Sequence, residues 1–189
     1  MSHEKDQFSP KTRELRVVDA SAERSKALVA DLLTMIESGD QRLNDYCEMA
    51  ARLRGTSHAF VVLVYADRFY FVGRYGFEEQ SYAVPNEVQP DWRGDAQVEY
   101  LDTSAEIPGF DYYPSELRAH RYVHFAPLKI DRMPIGLVGV ANRDPMPKAS
   151  PDHRVALAVM ARMARSYLRK HQLLKRHTQE LFGVLQGDL

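Results

Sequence analysis

The chain of 189 residues holds one cysteine, Cys47, which excludes an intrachain disulfide and a cysteine-based zinc site and fits a reducing compartment. No apolar run approaches the roughly 20 residues that span a bilayer, and the opening stretch MSHEKDQFSPKTRE lacks the apolar core of a secretory signal. The expectation is a cytoplasmic protein without a membrane anchor. The net charge of -1 gives no excess of either sign. The basic residues near the C-terminus carry no nucleic-acid reader motif, so no nucleic-acid partner is expected.

What is present is a core. At 44% hydrophobic residues, the chain suits one domain with flanking helices rather than two domains. Charge is distributed unevenly along it. Between Gly76 and His120 ten acidic residues face only Arg93 and Arg118, and from Pro151 onward seven Lys/Arg outnumber three Asp/Glu. An acidic middle and a basic terminal helix make the molecule electrostatically polar.

Residues 1–20 are polar and aperiodic and read as a mobile tail. Residues 21–170 read as the domain, and 171–189 as an extension of its last helix. A first helix is predicted from Ala22 to Glu37, with Leu28, Leu32, Met35 and Ile36 on one face and a stop at Ser38-Gly39. A second carries Leu43, Tyr46, Cys47, Ala50 and Leu53 at helical spacing and ends before Gly55. Nearly continuous apolar strands follow at about 58–65 and 69–75, joined through Ala66-Asp67-Arg68, and their composition implies a sheet covered on both faces. The segment 76–121 has one strand near 97–102 and many aromatics. It is too long for an ordinary connection and reads as a structured lid.

From His124 to Asn142 two apolar runs flank the polar turn Lys129 to Arg132, and the second run carries Gly136 and Gly139. This is an antiparallel hairpin, with glycines where backbone or ligand can come close. The last helix starts with Ser150 as N-cap, Pro151 at the first helical position and Asp152 at the positive end of the dipole. Running to about Phe182, it would reach about 48 Å at 1.5 Å per residue. Met160, Tyr167, Leu174 and Leu181 recur every seven residues, with Ala156 and Met163 between them, a seam that suits packing within the chain or a parallel helical homodimer.

In order, Leu53-Arg54-Gly55-Thr56 before Ala59 to Val64, Phe71 to Gly76, Val98 to Asp102, Ala126-Pro127-Leu128, Gly136 to Val140, and Ser150 with Asp152 resemble the GAF family over roughly residues 40–170. The family comprises small-molecule-sensing and dimerisation domains of signalling proteins. The resemblance implies an α+β fold: a central antiparallel sheet of five or six strands, terminal helices on one face and the 76–121 lid on the other. It implies a non-catalytic sensory domain that binds a small molecule between sheet and lid and signals through a dimeric terminal helix to a separate partner. A ligand-free interaction module is the alternative; a small enzyme of this fold or a haem sensor follows behind.

Cyclic-nucleotide-binding relatives carry Asn-Lys, Phe and Asp-Glu across the last strand and helix start. Here Asn142-Arg143 and Asp152 match in part, while Lys148 and His153 replace the phenylalanine and glutamate. Arg143 and Asp152 are expected to pair across the loop instead. Tetrapyrrole-binding relatives attach their chromophore through a cysteine beside a histidine, and no Cys-His dipeptide occurs. The free methionine sulfoxide reductases of this fold use more than one cysteine. His120 and His124, spaced for a helix but placed on a strand, would lie about 13 Å apart, too far to share a metal. The fold would place a ligand against Tyr100, Asp102, Phe110, Tyr113, His124, Val138 and Val140, where aromatic faces with a carboxylate suit a neutral planar molecule or a cationic amine. Arg165, Arg169 and Lys170 are the expected partner-docking residues. No cofactor or metal is called for.

Overall fold

The computed structural model describes residues 10–36, 39–83, 93–106 and 118–187. Helix α1 (Pro10–Met35) and helix α2 (Gln41–Arg54) precede strands β1 (His58–Tyr65), β2 (Arg68–Tyr75), β3 (Ser81–Ala83) and β4 (Val98–Tyr100). A single turn, α3 (Thr103–Glu106), leads toward β5 (Tyr122–Ile130) and β6 (Met133–Asn142), and the chain ends in helix α4 (Pro151–Gly187). The strands form one sheet of order β3-β2-β1-β6-β5-β4 with every pair antiparallel. The architecture is α+β, as the resemblance implies.

Helix α1 begins at Pro10, ahead of the expected Ala22, and buries Leu28, Val29 and Leu32, with Ile36 buried just past its end. Asp40 caps α2 by accepting the Arg42 and Leu43 N–H groups at 3.0 and 3.1 Å, and Gly55 ends it in the left-handed conformation, φ 73°. The Asp40 carboxylate also accepts the Tyr167 hydroxyl of α4 at 2.8 Å, so one residue ties the start of α2 to the terminal helix.

The hairpin between β5 and β6 is tighter than the sequence suggests. Strand pairing continues to Ile130 and Met133, and the turn is only Asp131 and Arg132, with φ 48° and 67°. Two central residues at positive φ match the twist of the flanking strands, which is why a two-residue loop suffices.

Helix α4 has 37 residues, about 56 Å at 1.5 Å per residue. Ser150 caps it, its Oγ accepting the His153 N–H at 3.3 Å. Leu157, Met160, Ala164 and Leu168 form its buried stripe, while Leu173 and Leu174 are 44% and 54% exposed. Beyond Leu168 the helix is tied to the rest of the chain by Arg169, 3.4 Å from the Asp131 carboxylate of the β5–β6 turn, and by Lys175, which donates to Asp31 of α1 at 2.8 Å.

Two cores result, one on each side of the sheet. Helices α1, α2 and α4 pack on Ala59, Val61, Leu63, Val72, Tyr122, Ala126, Leu128, Val138 and Val140. The other face gathers Val62, Val64, Phe69, Phe71, Phe125 and Leu137. No helix among the described residues is long and apolar enough to cross a membrane.

Candidate ligand-binding site

A cavity of about 340 Å³ lies on the face away from the helices. Alternate residues of five strands form its floor: Phe60 and Val62 of β1, Phe69 and Phe71 of β2, Leu137 and Ala141 of β6, Val123 and Phe125 of β5, and Tyr100 of β4. Phe77 and Tyr82 wall one side, each edge-on to Phe71 with ring centroids 5.0 and 5.6 Å apart. Tyr100 tilts over Phe125 at 6.4 Å.

The polar groups gather at one end. The start of β1, the ends of β2 and β6 and the start of β5 meet there, bringing together His58, Glu78, Glu79, Thr103, His120 and Arg143. The His58 and His120 rings stand edge to face with centroids 4.3 Å apart. His58 Nδ1 is 2.6 Å from Ser57 Oγ, which donates to Asn142 Oδ1 at 2.9 Å. Burial pushes the His58 imidazole down to about 4, with His120 and Arg143 adding to the effect against the opposing Glu79, so it is neutral at physiological pH.

The expected site residues divide. Tyr100 lines the cavity. His124, Val138 and Val140 do not: they face the helices, His124 paired across the sheet with Val140 and only 1% exposed. The physical reason is parity. Side chains alternate along a strand, so an assignment off by one residue sends every one to the opposite face. Asp102 is also outside the cavity. Its carboxylate takes the Arg121 guanidinium with two hydrogen bonds and the Ser104 hydroxyl at 2.7 Å, capping α3. The Arg121 hydrogen bond holds it well below the usual carboxylate range. Phe110 and Tyr113 lie outside the described residues.

Arg143 and Asp152 form no hydrogen bond or ion pair with each other; Arg143 stands at the cavity mouth and Asp152 is exposed. Ser150 caps the start of α4, as the sequence leads one to expect. His120 and His124 lie on opposite sides of the sheet, His120 in the cavity wall and His124 under the helices. Cys47 is buried in the helical core, where burial drives its thiol upward, and it does not line the cavity.

Sequence reasoning missed Phe60, Phe71, Phe77, Phe125 and His58. The signal was there in the alternation His58, Phe60, Val62 along β1, which puts rings on one face and Ala59 and Val61 on the other.

Under the helices a second set of polar groups is fully engaged. Glu99 of β4, side chain 5% exposed, accepts the Ala149 N–H at 2.6 Å, the Tyr122 hydroxyl at 3.0 Å and the Arg154 guanidinium. Burial alone would raise the Glu99 carboxyl, but these donors outweigh it and hold it low. Gln97 donates to the Arg154 carbonyl at 2.8 Å, which orients its amide so that Oε1 accepts from His124 Nε2 at 3.0 Å. His124 therefore carries its proton on Nε2, and burial pushes its titration down to about 4.

No family model matches the chain, and no curated protein matches it. Solved structures do. The blue-light absorbing form of the PixJ GAF domain of Thermosynechococcus elongatus aligns with a TM-score of 0.59 at 12% identity, over 87% of this chain and 96% of that one. The chromophore-binding domain of the bacteriophytochrome RpBphP3 of R. palustris gives 0.60 at 12% identity, over 89% of this chain and 64% of that one.

This chain has the GAF fold.

A third structure of the same fold, the type II free methionine-R-sulfoxide reductase of Thermoplasma acidophilum, aligns at 0.53 with 9% identity over 68% of this chain and 90% of the enzyme. The likeness to all three is one of architecture.

Proposed function

We propose that the chain is a non-catalytic sensory or regulatory domain that holds a small molecule in the sheet cavity and transmits its presence to α4. The observation that carries this reading is the cavity itself, about 340 Å³ in volume with an aromatic floor and a polar end, the combination expected of a ligand site. The chain's single cysteine is buried on the other side of the sheet, which favours a sensor over a thiol-dependent enzyme.

The route to the helix is short. Within β4, Tyr100 faces the cavity and Glu99, one residue earlier, faces the helical side and holds Arg154 in the first turn of α4. Strand β4 is three residues long at the sheet edge, paired only with β5. A ligand that shifts Tyr100 moves Glu99 with it, and the equilibrium between helix positions follows. The output is a homodimer through the terminal helices that engages a separate signalling partner in the cytoplasm. The exposed Arg165, Arg169 and Lys170 form the docking surface. Replacing all three with glutamate abolishes capture of that partner; unchanged capture removes the docking role.

The reading is tested by melting the purified protein with and without a metabolite fraction below 1 kDa. A ligand present at 100 times its dissociation constant adds about 2.7 kcal/mol of stability. A melting temperature indifferent to every fraction favours the ligand-free interaction module.

A further inference from the structure

Three charged groups at the cavity mouth, Glu78, Glu79 and Arg143, take part in no ion pair among the described residues. Two carboxylates elsewhere at the sheet each have their own arginine: Glu99 with Arg154, and Asp102 with Arg121. Glu79 does not, although it is half-buried, and Arg143 does not either; among the described residues neither takes part in an ion pair, with the other or with any third group. Both stand at the polar end of the cavity, and both act electrostatically on His58, from opposite directions.

A half-buried carboxylate without a cation and a guanidinium without an anion, set around one opening, form an unfilled clamp for a molecule that carries both charges. Behind the clamp the floor turns apolar at once, with Phe60, Phe71 and Phe125. Resting on the proposal that this cavity is the ligand site, we infer that its ligand is a zwitterion of the α-amino acid type with an aromatic or large apolar side chain. The ammonium group meets Glu79, the carboxylate meets Arg143, and the side chain lies on the phenylalanine floor. His58, neutral at the same end, accepts or donates a hydrogen bond without adding charge. A doubly anionic head such as a phosphate is disfavoured, because Glu78 and Glu79 together outweigh Arg143 at the mouth.

The test is isothermal titration of the whole chain with four compounds that share one ring system: L-tryptophan, tryptamine, indole-3-propionate and indole. Tryptophan is expected to bind at least about tenfold more tightly than either singly charged compound, the scale of one charge-assisted hydrogen bond. Glu79→Gln should erase the advantage over indole-3-propionate, and Arg143→Gln the advantage over tryptamine, with melting temperatures unchanged since both side chains stand at the rim. Tryptamine, indole-3-propionate or indole binding as tightly as tryptophan overturns the zwitterion while leaving the cavity a ligand site. Binding by none of the four overturns the inference, and a stabilising metabolite fraction in the same preparation shows that the ligand site survives it.

Discussion

Glu99 and Arg154 join the edge strand of the sheet to the first turn of the terminal helix, carboxylate to guanidinium, with the Glu99 side chain 5% exposed. The same carboxylate satisfies the Tyr122 hydroxyl and the Ala149 N–H. Arg54 of α2 closes the set, donating to the Tyr122 oxygen at 3.1 Å and lying 5.0 Å over its ring. Glu99 thus gathers strand β5 and the start of α4 directly and α2 through Tyr122, and Tyr100 beside it lines the cavity.

Glu99→Gln keeps the volume but removes the charge that Arg154 and the Ala149 N–H address. The expected loss is about 1–3 kcal/mol in urea unfolding, the cost of weakening buried charge-assisted hydrogen bonds. In amide exchange the first turns of α4 should open more readily, and Tyr100→Ala should then have no further effect there. A Tyr100→Ala effect on α4 that persists undiminished in Glu99→Gln contradicts the route.

Two buried histidines set an acid limit. His124 and His58 titrate near 4 in the folded chain, against an ordinary value of 6.5. Between those values the unfolded chain binds protons that the folded one refuses. Stability is therefore complete above pH 6.5 and falls as the pH drops toward 4, by about 1.4 kcal/mol per pH unit for each histidine. Melting temperatures measured from pH 8 to 4.5 should show this decline, and His124→Gln, which leaves His58 alone, should halve its slope. A flat profile from pH 7 to 5 speaks against both burials.

Gly139 leaves room for the cavity floor. A Cβ there would stand 2.7 Å from carbons of the Phe60 ring and 2.8 Å from the His124 carbonyl oxygen. Gly139→Ala should cost about 1–3 kcal/mol as an overpacked site, and should tilt Phe60 into the cavity and weaken any bound compound. Unchanged urea midpoint and unchanged binding would show that the ring has somewhere else to go.

The far half of α4 has apolar surface that the domain leaves open. Leu173 and Leu174 are expected to be covered by a second copy, so that the protein sediments as a dimer and the Leu173→Glu, Leu174→Glu double variant as a monomer of unchanged helicity. Sedimentation equilibrium of the two proteins decides it; a monomeric wild type removes the helical dimer.

The fold was legible because helix stripes and caps are local. Leu43, Cys47 and Ala50 at helical spacing, Gly55 at the end of that helix, and Ser150 before Pro151 all mark features that the structure keeps. The site was less legible for two physical reasons. Strands β5 and β6 are apolar on both faces, so composition gives no reason to put Leu137 rather than Val138 in the cavity. Only the register with β1, where Val138 lies opposite Val61 and Leu137 opposite Val62, decides the side. The role of Asp102 depended on Arg121, nineteen positions away, whose guanidinium reaches it only once β5 has paired with β4.

The central claim is that the sheet cavity holds a small molecule. Native mass spectrometry tests it most directly, on wild type and on Val62→Trp, which fills the cavity floor, each exposed to a metabolite fraction below 1 kDa and desalted. A discrete non-covalent adduct on the wild type that is lost from a folded Val62→Trp is the expected result. Wild type at its bare mass throughout, or an adduct retained by the filled variant, would contradict the claim.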